Sequence, residues 1–561
     1  ATTAALGGLF AFTLFGLYPT FMQYMTGIFH TSMYVYALIF FGEAFTLYLY
    51  YYSWERMNNH KGWHIFIGVL LNIFGTAIVI IANSWASFMM SPSGVTETGV
   101  LVDAWVALFN PLWNPLNIHR ILANAAFGGG IVGAFAAVKF LAARTEEEKV
   151  HYDWMGYIGN FVAICALIPL PFAGYYLGRE VYSASAVMGN NMMGGAFSWV
   201  FIIQAILVGM VFISANYYLW LAMQRIPGAH RYNKYITYIL ITLIVCFAIW
   251  LTPHNLPLSS EEQITMGGQY HPVLKYLGLM SGKNAVINLI IMLTFASFIF
   301  YRRSNFDEAV AVSKQGSGSK ITLIIFAVIC VMLLGWYASV LFMLDPAELD
   351  LSPEKAVYFQ LPAWLMAIHI AAIISALVLT IKDKGKLAQA LLFILTVVFS
   401  TFILGVYGYI IMTQANPFLR NIAVSQWIMM LVCLIFIMAI DIFLFRTSKE
   451  IGEIPWGKMP ARSQYSLIFL CISFVMLMAL MGFIRSGLRE NWHVYGILQD
   501  TSDGAFTPSI ALMGRVIGFI VIMFLGLVSF VFWLSDLGEK RKTGATEEAI
   551  PSPAAGHAAV K

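Results

Sequence analysis

Charge is scarce in this sequence. Asp, Glu, Lys and Arg supply 11% of the 561 residues, and apolar residues supply 60%. A soluble globular domain carries about a quarter charged residues, so a water-soluble fold is excluded. Cysteine is scarce too. The five present (Cys165, Cys246, Cys330, Cys433, Cys471) all fall inside apolar runs, where a thiol behaves as a small buried hydrophobe. No disulfide framework is expected, and without a Cys-x-x-Cys-His segment covalent c-type haem is ruled out. Long alternating polar and apolar segments are missing, which excludes an outer-membrane barrel. No metal-binding His/Glu spacing, nucleotide loop or serine elbow stands out, so a soluble-type enzyme has no support.

What is present is a series of apolar stretches, each long enough to cross about 30 Å of hydrocarbon at about 1.5 Å per residue. Helices are the way to satisfy backbone groups there. The expected fold class is all-α, a polytopic transmembrane helix bundle of about 14 spans. The spans fall at 5–25, 31–53, 63–88, 119–142, 155–176, 197–224, 234–252, 285–301, 320–344, 362–381, 386–413, 421–445, 464–486 and 508–536.

Positive charges give the expected sidedness, because short cytoplasmic loops hold the excess of Lys and Arg. Alternate loops carry Arg56 and Lys61; Arg144 and Lys149; Arg225, Arg231 and Lys234; Arg302, Arg303, Lys314 and Lys320; Lys382, Lys384 and Lys386; Arg446, Lys449, Lys458 and Arg462; and Lys540 to Lys542. Both termini are therefore expected in the cytoplasm, with loops 89–118, 253–284, 345–361 and 487–507 outside. The net charge of +4 is mostly this signal and leaves no basic face for nucleic acid. Gly316 to Ser319 and the stretch from about 543 read as a flexible loop and a disordered end.

Ionisable groups inside a membrane are costly and are functional candidates by default. Glu43 sits near the middle of the second expected span, too deep for a short side chain to reach water; proton relay and structural hydrogen bonding both remain open for it. Asp441 and Lys139 lie near span ends, where a local pair or snorkelling favours a structural role. Arg120, Arg485 and Arg515 lie close to the outer surface, where headgroups, acidic loops or cofactor propionates are all possible partners. Among the eleven histidines, His119 and His369 are the two placed to face a bundle interior, both in the outer leaflet. Either is a candidate haem ligand or a satisfied polar contact. The 28 methionines nominate no ligand by composition alone.

Several blocks carry a resemblance. Gly27-Ile28-Phe29-His30 to Phe41-Gly42-Glu43, then Tyr50-Tyr51-Tyr52-Ser53-Trp54-Glu55-Arg56-Met57 and Ile81-Ala82-Asn83-Ser84-Trp85, resemble the third and fourth helices of cytochrome bd oxidase subunit I. Leu488-Arg489-Glu490-Asn491-Trp492-His493-Val494-Tyr495-Gly496-Ile497-Leu498 looks like that family's Gly-Arg-Gln-Pro-Trp-x-x-x-Gly-x-(Leu/Met) segment. Ser425-Gln426-Trp427-Ile428-Met429 looks like the Ser-Phe-Arg-Ile-Met segment that supplies the axial methionine of the low-spin b haem. Asn114-Pro115 opens the helix that in the family carries that haem's histidine. Ala123 stands at the histidine position here, and His119 lies four residues earlier on the same helix face.

The resemblance implies a b-type haem near the outer face, its iron held by His119 and Met429 with His369 as substitute, Arg489 in its binding site, and Glu43 on a proton path. The departures are specific. The chain starts where the family's second helix is under way. Ser486 stands for the glutamate that binds the high-spin haem, Val35 for the first proton-path glutamate, and the long quinol-binding loop has no counterpart.

The expected organisation is a bd-like N-terminal part (1–180), additional helices without family counterpart (197–414), a bd-like C-terminal part (421–536) and a disordered cytoplasmic tail (537–561). The expected function is a membrane cytochrome subunit that passes electrons through haem b in a respiratory complex of the bacterial inner membrane, with oxygen as one conceivable acceptor. Its expected partners are other membrane subunits, lipid, and a c-type cytochrome or similar carrier outside. Two alternatives stand beside it: a haem-free anchor or proton-conducting subunit, and a secondary transporter.

Overall fold

A computed structural model describes residues 14–192, 198–252, 280–343, 353–403 and 424–547. The architecture is helical, as sequences this apolar require once backbone groups must be paired within each segment. In chain order the helices are α1 (Pro19–Tyr52), α2 (Lys61–Phe88), α3 (Ala104–Leu108), α4 (Trp113–Ala142), α5 (Glu146–Leu167), α6 (Leu170–Ala184), α7 (Ala186–Asn191), α8 (Ser198–Met223) and α9 (Asn233–Trp250). They continue with α10 (Met280–Arg303), α11 (Ser317–Met343), α12 (Pro353–Ile381), α13 (Gly385–Val397) running into a π-helical segment Val398–Ile403, α14 (Val424–Phe445), α15 (Ala461–Gly487) and α16 (Pro508–Glu547). A small antiparallel hairpin, β1 (Trp492–Val494) and β2 (Leu498–Gln499), precedes α16.

Eleven helices among the described residues are long and apolar enough to cross a membrane. The separate spans expected at 5–25 and 31–53 are, from Pro19 to Tyr52, one uninterrupted helix. Gly27 is the one helix-breaking residue between them, and a lone glycine costs a helix only about 1 kcal/mol. The glycine-serine stretch expected as loop instead opens α11 at Ser317, and α16 runs on to Glu547, past the point where a disordered tail was expected. Residues 404–413 of the expected span 386–413 lie outside the described residues.

The chain forms two compact units, one from residues 1–34, 97–99 and 491–561, the other from 35–96 and 100–490. In the first, the start of α1 is tied to the segment before α16. Thr507 N–H donates to Leu17 O at 3.0 Å and the Thr20 hydroxyl to Asp503 O at 3.0 Å. The His493 ring packs on Tyr18 and Phe21 at 5.2 and 5.3 Å.

In the second unit, α4 and α5 approach each other closely. A Cβ built on Gly129 would lie 2.5 Å from Gly159 O, and one on Gly159 would lie 2.6 Å from Gly133 N. Small residues let two backbones approach where lipid supplies no hydrophobic drive. Two apolar cores follow. One gathers side chains of α4, α5, α8, α9 and α15, and the other gathers α11 to α14. Helix α10 belongs to both: Ile290, Phe298 and Tyr301 face the first, Ile291, Met292 and Phe295 the second.

The basic loops meet at one end of this unit. Arg231 donates to Asp307 O at 2.7 Å, Asp307 N–H to Lys449 O at 2.9 Å, Asn305 Nδ2 to Gly452 O at 2.7 Å, and Lys458 pairs with Glu146 at 3.0 Å. Asp441 is fully buried beneath these loops and pairs with Arg302 and Arg303. That bears out its structural reading, because a buried carboxylate needs its charge matched.

A cationic site at the start of α4

The N-terminus of α4 is pinned to the end of α2 by the residues of the Asn83-Ser84 block. Trp113 Nε1 donates to Ile80 O at 3.0 Å, Asn110 Nδ2 to Ser84 O at 3.2 Å, and Asn83 Nδ2 to Asn117 Oδ1 at 2.7 Å. Asn83 is therefore locked with its Oδ1 turned to the next turn of α4, where it accepts from Arg120. This fixes the guanidinium of Arg120 one residue beyond His119.

His119 faces α6 at Gly174, one of two positions where that helix has no side chain. A Cβ added to Gly174 would lie 3.7 Å from His119 Nε2. Among the described residues no hydrogen bond holds either ring nitrogen. The half-buried ring, with no partner, has a nitrogen free to ligate.

Arg485, near the end of α15, is close enough to Arg120 for their charges to repel, and Arg489 is within the same reach of Arg485. Arg489 is almost wholly buried. Burial, and then the charge of Arg485, push its pKa down to about 10, so it is still a cation at neutral pH. None of the ion pairs among the described residues includes Arg120 or Arg485, and Arg485 Nε is buried with no acceptor. Among the described residues positive charge thus accumulates here with no carboxylate paired to Arg120 or Arg485, a setting that suits an anionic group.

The remaining candidates lie elsewhere. His369 is fully buried on α12; its Nδ1 is 2.8 Å from Leu365 O, its ring edge packs on Phe399, and its Nε2 is buried with no partner. A histidine with one nitrogen bonded to a carbonyl and the other free has the tautomer an iron ligand needs. Met429, on α14, is buried in the apolar core of α11 to α14. Helix α4 packs on α2, α5, α6 and α15, whereas α14 packs on α10, α11, α12 and α13. His119 and Met429 thus belong to different helix groups, while Met429 and His369 share one. Trp427, two residues before Met429, packs on Phe172 and Tyr175 of α6 at 5.1 and 5.0 Å.

Glu43 points toward α2, where a Cβ on Gly75 would lie 3.0 Å from its Oε1. It lines a groove of about 730 Å³ with Asn72, Thr76 and Asn124, and is the one carboxylate there. Sequence reasoning missed Gly174, Asn83 and Asn117 as parts of the site, since each acts through a partner on another helix.

Taken together, the fold and this site describe a multi-pass, nearly all-helical membrane protein with a cluster of guanidinium groups beside an unbonded imidazole. Residues 1–187 match the family described as cytochrome bd terminal oxidase subunit I, so the first third of the chain carries a domain of that family and relates the protein to membrane respiratory oxidases. No curated protein matches the chain.

Proposed function

We propose that this chain is a bd-oxidase-like membrane cytochrome subunit that binds b-type haem and relays electrons within a respiratory complex. The observation that carries this reading is the pairing of a half-buried, unbonded His119 with the guanidinium groups of Arg120 and Arg485. Two acidic propionates and one open iron position are what such a set complements. When bound, haem b supplies one-electron chemistry, and the chain supplies ligation, charge and exclusion of water.

In this reading His119 holds the group through Nε2 beside Gly174, and Arg120, Arg485 and Arg489 hold its carboxylates. Met429 enters as a ligand together with His369, whose helix packs on its own, so a second site in the α11 to α14 group is the alternative placement. Glu43 serves as a proton relay along the groove it lines. Electron donors outside the membrane, such as a c-type cytochrome, and neighbouring membrane subunits complete the proposed assembly. Oxygen as acceptor is left to the partner chains, because Ser486 is no haem ligand.

The test is a reduced-minus-oxidised spectrum with haem extraction on the chain purified with its native partners, repeated for His119→Ala, His369→Ala and Met429→Leu. A b-type signal lost in His119→Ala supports the cationic site. Loss in His369→Ala and Met429→Leu together moves the haem to the second helix group. No haem in the parent protein sinks the reading and leaves a haem-free anchor or proton-conducting subunit.

A further inference from the structure

At the end where the basic loops meet, several positive side chains are spent on protein carboxylates. Arg225 pairs with Asp153, Arg302 and Arg303 with Asp441, and Lys149 and Lys458 with Glu146. Five lysines around the start of α11 and the turn from α12 to α13 are not. Lys314, Lys320, Lys382, Lys384 and Lys386 enter no ion pair or side-chain hydrogen bond among the described residues. All of them but Lys320 are exposed.

The fold holds these lysines together. Asp383, between Lys382 and Lys384, has a positive φ of 62°, a conformation that residues other than glycine seldom adopt. Its carboxylate accepts from Ser313 N–H at 3.1 Å and from the Ser313 hydroxyl at 2.6 Å, which clamps the α12–α13 turn onto the residues before α11. These bonds, and then the charges of Lys320 and Lys314, lower the pKa of Asp383, so it stays ionised at neutral pH. Residues 313–320 and 382–386 thus carry five lysines against one aspartate, whose oxygens are engaged by Ser313. Sidedness asks for positive loops, but it does not ask for a clamp that sets like charges side by side. Without an anion among them they repel.

The apolar surface next to the lysines points to the kind of anion. On α13, Leu387, Leu391, Ile394 and Val398 are exposed at steps of four, three and four, so they form one stripe that starts beside Lys386. From Leu387 to Val398 the stripe runs about 16 Å at about 1.5 Å per residue, half of a hydrocarbon core of about 30 Å. Ile374 and Val378 of α12, which packs on α13, are exposed as well. A bilayer lipid offers the complement, a phosphate at the surface and acyl chains one leaflet deep. An acidic protein segment would meet the lysines and leave the stripe, and a zwitterionic headgroup brings no net charge. Clusters of about four or more lysines beside a membrane helix recognise anionic headgroups.

We propose that the clamped turns and the α13 stripe bind an anionic phospholipid, its phosphate among the five lysines and its acyl chains along α13. The site lies outside the family-matched residues 1–187 and does not depend on haem.

The full chain purified with its native partners, stripped of loosely held lipid in detergent, tests this by titration with phosphatidylglycerol and, in parallel, with phosphatidylcholine of the same acyl chains. Bound lipid is read by native mass spectrometry. The expected result is saturable phosphatidylglycerol binding that phosphatidylcholine does not match and that excess glycerol 3-phosphate does not displace. A juxtamembrane lysine contributes roughly fivefold in affinity. The combined variant Lys382→Gln, Lys384→Gln and Lys386→Gln should therefore bind about a hundredfold more weakly. Arg446→Gln, Lys449→Gln and Arg462→Gln together, three exposed positive residues at the same end, should leave binding unchanged. Equal binding of phosphatidylcholine, undiminished binding in the lysine variant, or an equal loss in the control variant overturns the proposal. So does displacement by glycerol 3-phosphate, which marks a free-phosphate site, or departure of a partner subunit from the lysine variant, which marks an acidic protein face.

Discussion

Arg485 is the residue whose chemistry the fold constrains most. It enters near the end of α15, repels Arg120, and has its Nε buried with no acceptor. A cation beside a haem favours the reduced form, since the reduced centre carries one positive charge less. Arg485→Gln removes the charge and keeps a shorter polar side chain with an amide donor. The expected outcome is a lower midpoint potential for the b haem at unchanged haem content, measured by redox titration; an unmoved potential would place the haem away from these arginines. His119, Arg120 and Arg485 were legible in the sequence because charge and imidazole are rare in apolar helices, and Arg489 because its segment resembles a family motif. Their company was not. Asn83 stands 37 positions before Arg120, and Gly174 contributes only by lacking a side chain, so neither leaves a mark that spacing can detect.

At the scale of helices, the α4–α5 pair shows how much a hydrogen atom in place of a methyl group can decide. A Cβ on Gly159 would meet Gly133 N at 2.6 Å and Gly129 O at 2.7 Å. Those are backbone atoms, so the helices themselves must part. Gly159→Ala should destabilise the protein by about 1–3 kcal/mol, the range for overpacking, read as a lower thermal unfolding midpoint in detergent. Gly128→Ala is the matched control, because nothing lies within 4 Å of a Cβ there. Hydropathy located most helices well, since length and apolar content survive any packing. It failed where continuity was at issue: nothing between Thr26 and His30 forces a break, and α1 runs through. The sharing of α10 between two cores was equally hidden, because apolar residues on both of its faces leave no single stripe to read.

The molecule as a whole carries its sidedness in loops that are far apart in sequence and joined in space. Residues 143–153, 225–232, 304–316 and 446–458 are linked at one end by Arg231 to Asp307, Asp307 to Lys449, Gly457 to Asp153 and Lys458 to Glu146. These are the loops rich in Lys and Arg, so the charge pattern and the hydrogen bonds agree that they share a side. The loop holding Val102 lies beyond the opposite end of α4, whose 30 residues span about 45 Å. By the positive-inside rule the joined loops are expected on the cytoplasmic side. Cysteine substitution tests it, because the native thiols lie in apolar helices. With a membrane-impermeant maleimide on right-side-out vesicles, Val102→Cys should label at once and Lys449→Cys only after permeabilisation. The reverse pattern would invert the topology and put the cationic site at the cytoplasmic face, where an outside electron carrier could not reach it. Labelling of both without permeabilisation would contradict the separation by α4. The expected pattern places His119 and its arginines toward the outer surface, within reach of a soluble donor.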